Sequence, residues 1–357
     1  MSSESFALNW PLSHFSHTLI AWQQQSGRHN LPWQQTDPYL VWVSEIMLQQ
    51  TQVSTVLDYY PRFIAHFPDV QTLADAPIDD VTALWAGLGY YSRARNLHHA
   101  AQQVRDEFAG TFPHERTELE SLKGIGRSTA AAIAAFAFKQ RETILDGNVK
   151  RVLCRLFARY GNPQDKAFEN SLWALAEQLL PEQAQDMPSY TQGLMDLGAT
   201  VCTRSKPKCD ICPMQTLCLA HERGLTAELP VKKASVVVKQ MPVYWLCIID
   251  SKQRIYLEKR PVKGIWSQLY CPPMVDVDLW PAWLHEHETE PEQLQYLSPI
   301  AHKLTHRAMS ITAAILHSDA VETLTHNGQF YDLQAALKLG LPKPLQTLLP
   351  HLLTKPL

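Results

Sequence analysis

A basic start followed by a long apolar run is missing from this sequence, because Met1 to Trp33 is interrupted throughout by Ser, His, Gln and Pro. Neither export nor membrane insertion is expected, and the chain should stay in the cytoplasm. Excess positive charge is missing as well: 32 Lys and Arg stand against 35 Asp and Glu, a net charge of -3. The total gives no hint of a polyanionic partner, which would have to be recognised through local charge. Cysteine is scarce and odd in number, seven in 357 residues, which argues against a secreted disulfide framework. Internal repeats and low-complexity stretches are absent, which excludes solenoids and linker-like chains.

What is present is an ordinary globular composition, 45% hydrophobic and 19% charged, with length enough for two cores. Up to about Leu225 apolar residues recur at helical spacing with short breaks, as in Pro38 to Tyr60, Ile78 to Leu88, Ser92 to Phe108, Ser128 to Phe138 and Asn148 to Tyr160. Nothing there reads as a sheet. After Ala227 the texture changes: Val236-Val237-Val238, Tyr244 to Ile249 and Arg254 to Leu257 are β-branched or aromatic runs between turn formers. Pro230, Lys232, Lys233 and Lys239 mark a polar connector. The prediction is an all-α domain over residues 1–226, a linker over 227–240 and an α/β domain over 241–357.

Four of the seven cysteines crowd into one loop, Cys202-x6-Cys209-x2-Cys212-x5-Cys218. Four soft sulfur ligands select zinc or an iron–sulfur cluster and exclude hard cations. Zinc more usually shows two separated C-x2-C knuckles, whereas these unequal spacings wrap one chain segment around a cubane, so a [4Fe-4S] cluster over 202–218 is expected. The loop also carries Arg204, Lys206 and Lys208, which suits bracing against phosphates better than redox chemistry on a substrate. Cys154, Cys247 and Cys271 read as buried thiols.

Local charge supplies what the total does not. From Lys123 to Tyr160 eight basic residues face only Glu142 and Asp146, an excess of six. A solvated helical face would look the same. The stretch opens with Leu122-Lys123-Gly124-Ile125-Gly126-Arg127-Ser128-Thr129-Ala130. Gly124 and Gly126 permit a tight hairpin between helices, whose backbone N–H groups could hold a DNA phosphate, although such a pair is often only a turn. Farther on, the apolar approach Ile144-Leu145 ends in Asp146 at a helix start. Its plain reading is an N-cap, and that does not exclude a second role.

The hairpin, the Asp some twenty residues later and the four-cysteine loop together resemble the endonuclease III branch of helix-hairpin-helix DNA glycosylases, over residues 10–225. Within that branch Trp42 to Val53, Gly87 to Leu97 and Leu31-Pro32-Trp33 resemble the adenine glycosylases rather than their pyrimidine-specific relatives. The C-terminal part resembles a Nudix-like domain through Leu257 to Pro261 and Gly264 to Tyr270, but Cys271, Pro272, Pro273 and Met274 follow where a hydrolase has its acidic helix. That domain should bind without hydrolysing. The resemblance implies a soluble, nucleoid-associated monomer that acts on double-stranded DNA containing adenine opposite 8-oxoguanine or guanine.

The chemistry can be built from the residues. Breaking an adenine N-glycosidic bond needs a proton on the base and negative charge near a developing oxocarbenium ion, and two carboxylates with opposite pKa shifts meet both needs. Glu45 lies among Val41, Trp42, Ile46, Met47 and Leu48, on a helix with Asp37 as N-cap and Pro38 in its first turn. Desolvation should keep it protonated, as general acid. Asp146, among free helix N–H groups and basic residues, is assigned to the sugar as electrostatic or covalent partner. Asn148 supports it, and Lys150 contacts phosphate.

Relatives that nick the backbone carry a Lys nucleophile two residues after the second hairpin glycine, where this chain has Ser128. Without an amine no Schiff base forms there, which implies a monofunctional glycosylase. By resemblance Gln50 and Tyr90 enter the base stack, Leu88 and Trp33 shape the neighbourhood, Lys123, Gly124, Gly126 and Arg127 hold phosphate, and Thr305 and His306 read 8-oxoguanine. The rival readings are an endonuclease III-like pyrimidine glycosylase and lyase, a silent iron–sulfur DNA-binding module, and a Nudix hydrolase. Ser128, the retained Glu45 and Asp146 pair, and the missing acidic helix respectively disfavour them.

Overall fold

The computed structural model describes residues 10–231, 238–304, 307–319 and 328–353. Thr305 and His306, together with Val236 and Val237, lie outside the described residues. The first part of the chain folds as helices α1 (Ser13–Ser26), α2 (Pro38–Leu48), α3 (Val53–His66), α4 (Val70–Asp75), α5 (Ile78–Leu84), α6 (Ser92–Glu107), α7 (Arg116–Ser121), α8 (Arg127–Phe138), α9 (Gly147–Leu156), α10 (Lys166–Gln178), α11 (Met187–Asp196) and α12 (Leu219–Glu222). The expected single stretch from Pro38 to Tyr60 is two helices. The polar run Gln49 to Gln52 offers no apolar side chain to continue the buried stripe, and Gln50 turns the chain with φ +57°.

Helix α2 starts where it does because Asp37 accepts from the backbone N–H groups of Tyr39 at 2.8 Å and Leu40 at 3.3 Å. Pro38 follows in the first turn, where a missing N–H costs nothing. Helix α8 buries an unbroken apolar run, Ala130 to Ala135, alanine throughout except for Ile133. Side chains this small let neighbouring backbones approach closely, and α2, α7 and α11 all pack on α8. A second apolar centre gathers α1, α9, α10 and α11 through Phe15, Leu19, Val149, Leu153, Trp173 and Tyr190.

The compact units do not follow the expected boundaries. One comprises Met1–Ala74 with His99–Ala234, the other Asp75–His98 with Ser235–Leu357. Helix α5 and the start of α6 thus group with the C-terminal sheet, through bonds such as Lys259 Nζ to Asp79 at 2.5 Å and Tyr91 Oη to the Leu341 carbonyl at 3.3 Å. Periodicity could not reveal this, since it reports which face of a helix is apolar and not which core takes it. The expected linker also runs too far, because Lys239 and Gln240 already belong to the first strand.

That strand, β1 (Lys239–Ile249), lies at the centre of a mixed sheet completed by β2 (Ile255–Lys259), β3 (Tyr270–Cys271), β4 (Met274–Asp276), β5 (Leu294–Tyr296), β6 (Ile300–Lys303), β7 (Arg307–His317) and β8 (Gly328–Tyr331). β1 and β7 run parallel and in register from Lys239 opposite Arg307 to Ile249 opposite His317. Covered on both faces, β1 is buried continuously from Trp245 to Ile249 instead of alternating with solvent. Helices α13 (Trp280–Glu286), α14 (Leu333–Leu337) and α15 (Lys343–Leu353) complete this unit. Leu246 and Ile248 meet Trp280 on one face. Helix α13 has seven residues and one carboxylate, Glu286, so it does not supply the run of acidic ligands a metal-dependent pyrophosphatase needs.

Candidate active site

Glu45 lies in the last turn and a half of α2. With Trp33, Leu48, Phe136, Gln192 and Met195 it lines a cavity of about 40 Å³, room for water but not for a purine. Burial pushes its carboxyl from an ordinary 4.5 up to about 8, and the charge of Asp146 adds to the rise. A little of the residue's surface still reaches solvent, so its proton can exchange. The two carboxylates expected to work together therefore sense each other in the fold, although they stand 101 positions apart in sequence.

Asp146 is the N-cap of α9: its Oδ1 accepts from the backbone N–H groups of Asn148 at 2.9 Å and Val149 at 2.8 Å. Asn148 reaches its second oxygen only at 3.5 Å. That amide is held from behind, since its oxygen accepts from Arg151 at 2.9 Å. A Cβ on Gly198 would come within 2.8 Å of the Asn148 side chain, so Gly198 keeps this contact open. Asp146 itself is exposed on a groove of about 780 Å³ that also receives Asn148, Lys150, Arg151 and Arg204.

Ser128 stands on the first turn of α8, where its Oγ accepts from the Leu145 N–H at 3.0 Å. The hairpin and the approach to Asp146 are thereby stitched together. Gly124 has φ +82°, a left-handed conformation, and Gly126 caps α8 with open space where a Cβ would stand. Neither φ nor packing demands a glycine at 126, whereas close approach of a ligand to the backbone would. The Lys123 side chain is exposed.

Half of the basic stripe is engaged by the protein itself, while Lys123, Lys139, Arg141 and Arg159 are exposed. Arg127 lies 4.0 Å over the Trp173 ring and pairs with Glu177. Lys150 pairs with Glu169 at 2.5 Å, so the phosphate contact expected of it meets a competing partner. Arg151 and Arg155 are buried: Arg151 bonds the carbonyls of Gly198 and Cys202, and Arg155 those of Leu229, Thr203 and Arg204. Counting charges along a helix cannot separate these from solvated ones.

Cys202, Cys209, Cys212 and Cys218 all line one small cavity, where none is joined by a disulfide. Arg155 donates to Cys202 Sγ at 3.4 Å, a charged second partner of the kind that steadies a thiolate ligand. Among the described residues no three His, Cys, Asp or Glu side chains close on a point as a single-ion site. The donor set, four cysteine sulfurs around one cavity, fits an iron–sulfur cluster.

Gln50 and Tyr90 share an unusual backbone: both are exposed side chains at positive φ, +57° and +47°. Leu88, expected beside the DNA, is 6% exposed and lies in the second unit. That unit also holds a pocket of about 590 Å³ lined by Tyr90, Arg95, Trp266, His302, Arg307 and Lys343, with no acidic residue among those described around it. Leu304, the residue before Thr305, lines it too.

The sequence reading missed the clamp beneath Glu45. Asp196 is 1% exposed and accepts from the Arg28 backbone at 2.9 Å, Arg28 Nε at 2.7 Å and Gln192 Nε2 at 2.8 Å. Arg28 and Gln192 both line the Glu45 cavity. The available signal was a lone Asp inside Leu194 to Val201, since a carboxylate in so apolar a stretch needs partners.

Comparison with known proteins gives a consistent picture. Residues 43–178 match the HhH-GPD superfamily of base excision DNA repair proteins, residues 202–218 the iron-sulfur binding domain of endonuclease III, and residues 244–351 the NUDIX domain. An adenine DNA glycosylase of Buchnera aphidicola is 38% identical over 335 residues, covering 93% of this chain and 94% of that protein. One from Rattus norvegicus is 46% identical over 230 residues, covering 60% of this chain and 44% of the rat protein. Among solved structures, a thermostable thymine-DNA glycosylase aligns with TM-score 0.53 at 29% identity, covering 59% of this chain and 97% of that one.

Proposed function

The chain belongs to the adenine DNA glycosylase family, and from that premise we propose that it releases adenine mispaired with 8-oxoguanine or guanine in duplex DNA, hydrolysing the N-glycosidic bond without cutting the backbone. The observation that carries this reading is the pairing of Glu45, raised to about 8 in a narrow cavity, with an exposed Asp146 whose charge it feels. A protonated carboxyl delivers the proton that lets adenine leave neutral. A carboxylate on the groove side offsets positive charge that develops on the sugar. Since the cavity has room only for water, the base must leave its stack and part the walls to reach Glu45.

The α8 start, with Gly126 open above it, offers backbone N–H groups to a phosphate near the target nucleotide. Gln50 and Tyr90 are assigned to the base stack, and the acid-free pocket of the second unit to the strand carrying the partner base, with Thr305 and His306 as its reading edge. The cluster held by the four cysteines would supply a rigid, charged brace for the loop bearing Arg204, Lys206 and Lys208. The protein is read as a monomer, and no described helix is long and apolar enough to cross a membrane.

The direct test is single-turnover release of adenine opposite 8-oxoguanine, guanine and thymine, with and without alkali. Release from the first two, with strand breaks appearing only after alkali, is the expected result. Excision of an oxidised pyrimidine with strand scission by the protein alone would favour the endonuclease III-like alternative. A companion prediction concerns Ser128→Lys. It loses the bond to Leu145, about 1 kcal/mol, but puts an amine beside Asp146. Borohydride should then trap far more abasic duplex than in the native enzyme, where Lys150 is held by Glu169. Trapping no higher than native would show that position 128 does not face the sugar.

A further inference from the structure

The turn between α5 and α6 is held at positive φ in three of its residues. Gly87 has φ +104°, Gly89 +72° and Tyr90 +47°, and the Tyr90 ring is 45% exposed. Three side chains brace it. Trp85 donates its indole N–H to the Gly89 carbonyl at 3.3 Å, and the Tyr91 hydroxyl accepts from the Gly87 N–H at 3.0 Å. Arg93 does most: one terminal nitrogen donates to both the Leu88 and Gly89 carbonyls, each at 3.1 Å.

The same guanidinium lies 5.3 Å from the Trp85 ring centre and 5.6 Å from that of Tyr90. It is 8% exposed, in the first turn of α6. Packing alone would be served as well by an apolar residue of similar length, without the cost of drying a charge. What an apolar side chain cannot do is donate to two adjacent carbonyls while presenting a cationic face to two rings.

We propose that Arg93 is a positioning residue for adenine excision: it locks the Gly87–Tyr90 turn so that the Tyr90 ring stands ready to enter the base stack. The inference rests on the reading of Tyr90 as a stacking wedge. Arg93 touches neither the base nor the sugar, and acts by removing the rearrangement that a slack turn would need at each encounter.

The test uses the full-length protein and a duplex with a non-cleavable adenine analogue opposite 8-oxoguanine, carrying 2-aminopurine beside the mispair. Its fluorescence rises when the stack is opened. Arg93→Met should lose most of that rise at saturating protein and weaken binding roughly tenfold, a coupling of about 1.4 kcal/mol. Arg93→Lys should fall between, because it keeps charge and donors but not the planar face toward the Trp85 and Tyr90 rings. The double variant with Tyr90→Ala should be no worse than Tyr90→Ala alone, which a general loss of stability would not produce.

A native rise in Arg93→Met, with Tyr90→Ala losing it, overturns the proposal. So does a strictly additive double variant. If Arg93→Met does not fold, Arg93→Lys decides: a native rise from a less stable protein would make the role purely structural. A native rise in Tyr90→Ala would remove the wedge reading itself, and this inference with it.

Discussion

Glu45→Gln is expected to bind the mispaired duplex nearly as well as the native enzyme and to release no measurable adenine. The amide matches the carboxyl in shape and can occupy the same cavity, but it has no proton to give to a leaving base. The pH dependence is the sharper part. With its carboxyl raised to about 8, Glu45 is in the acid form at neutral pH. Native single-turnover activity should hold below that value and fall about tenfold per pH unit above it, until other groups intervene.

Stability must move with the same group, and the sign is fixed. A carboxyl whose folded pKa lies above its unfolded value binds more protons when folded, so the native enzyme loses stability as pH rises between 4.5 and about 8. The cost of ionising it in place is on the order of a few kcal/mol. Glu45→Gln should be free of that loss, and more stable than the native enzyme above pH 8. Thermal unfolding at pH 6 and pH 9 reads this directly. Equal pH slopes for the two proteins would mean that Glu45 is not the desolvated acid, even if its replacement stops the reaction.

Much of this site was legible because burial and capping leave marks in short stretches. A lone carboxylate among Val41, Trp42, Ile46 and Met47 announces its own desolvation, and Asp37-Pro38 announces the helix that carries it. The helix after Asp146 was visible for the same reason. What stayed hidden depends on contacts distant in sequence. Lys150 and Arg127 are charged residues on helix faces, and nothing near them says that Glu169 and Glu177 have claimed them. Arg93 reads as one more polar residue of α6 until the two carbonyls it holds are seen. Leu88 was placed near the DNA by resemblance alone, and its burial could not be read from the residues beside it. The grouping of Asp75–His98 with the C-terminal sheet is of the same kind, because a helix pattern does not say against what it packs.

Asp146 carries the second large prediction, since capping and catalysis can be separated there by one atom. Its Oδ1 accepts both capping bonds, from Asn148 and Val149, and asparagine can offer an equivalent oxygen. Asp, Asn and Ser are about equally good caps, so Asp146→Asn should leave the melting temperature nearly unchanged, whereas Asp146→Ala should cost about 1 kcal/mol. Both lose the carboxylate. If that charge is what stabilises the developing oxocarbenium ion, both should lose at least a hundredfold in single-turnover rate, and the stable Asn variant no less than the destabilised Ala one. The charge of Asp146 is also the second cause of the raised Glu45 pKa. Residual activity in Asp146→Asn should therefore begin to fall at lower pH than in the native enzyme, which a variant damaged only in its helix start would not show. Activity that tracks stability instead, intact in Asn and reduced in Ala, would leave Asp146 a helix cap alone and return the sugar-facing charge to be sought among other groups along the groove.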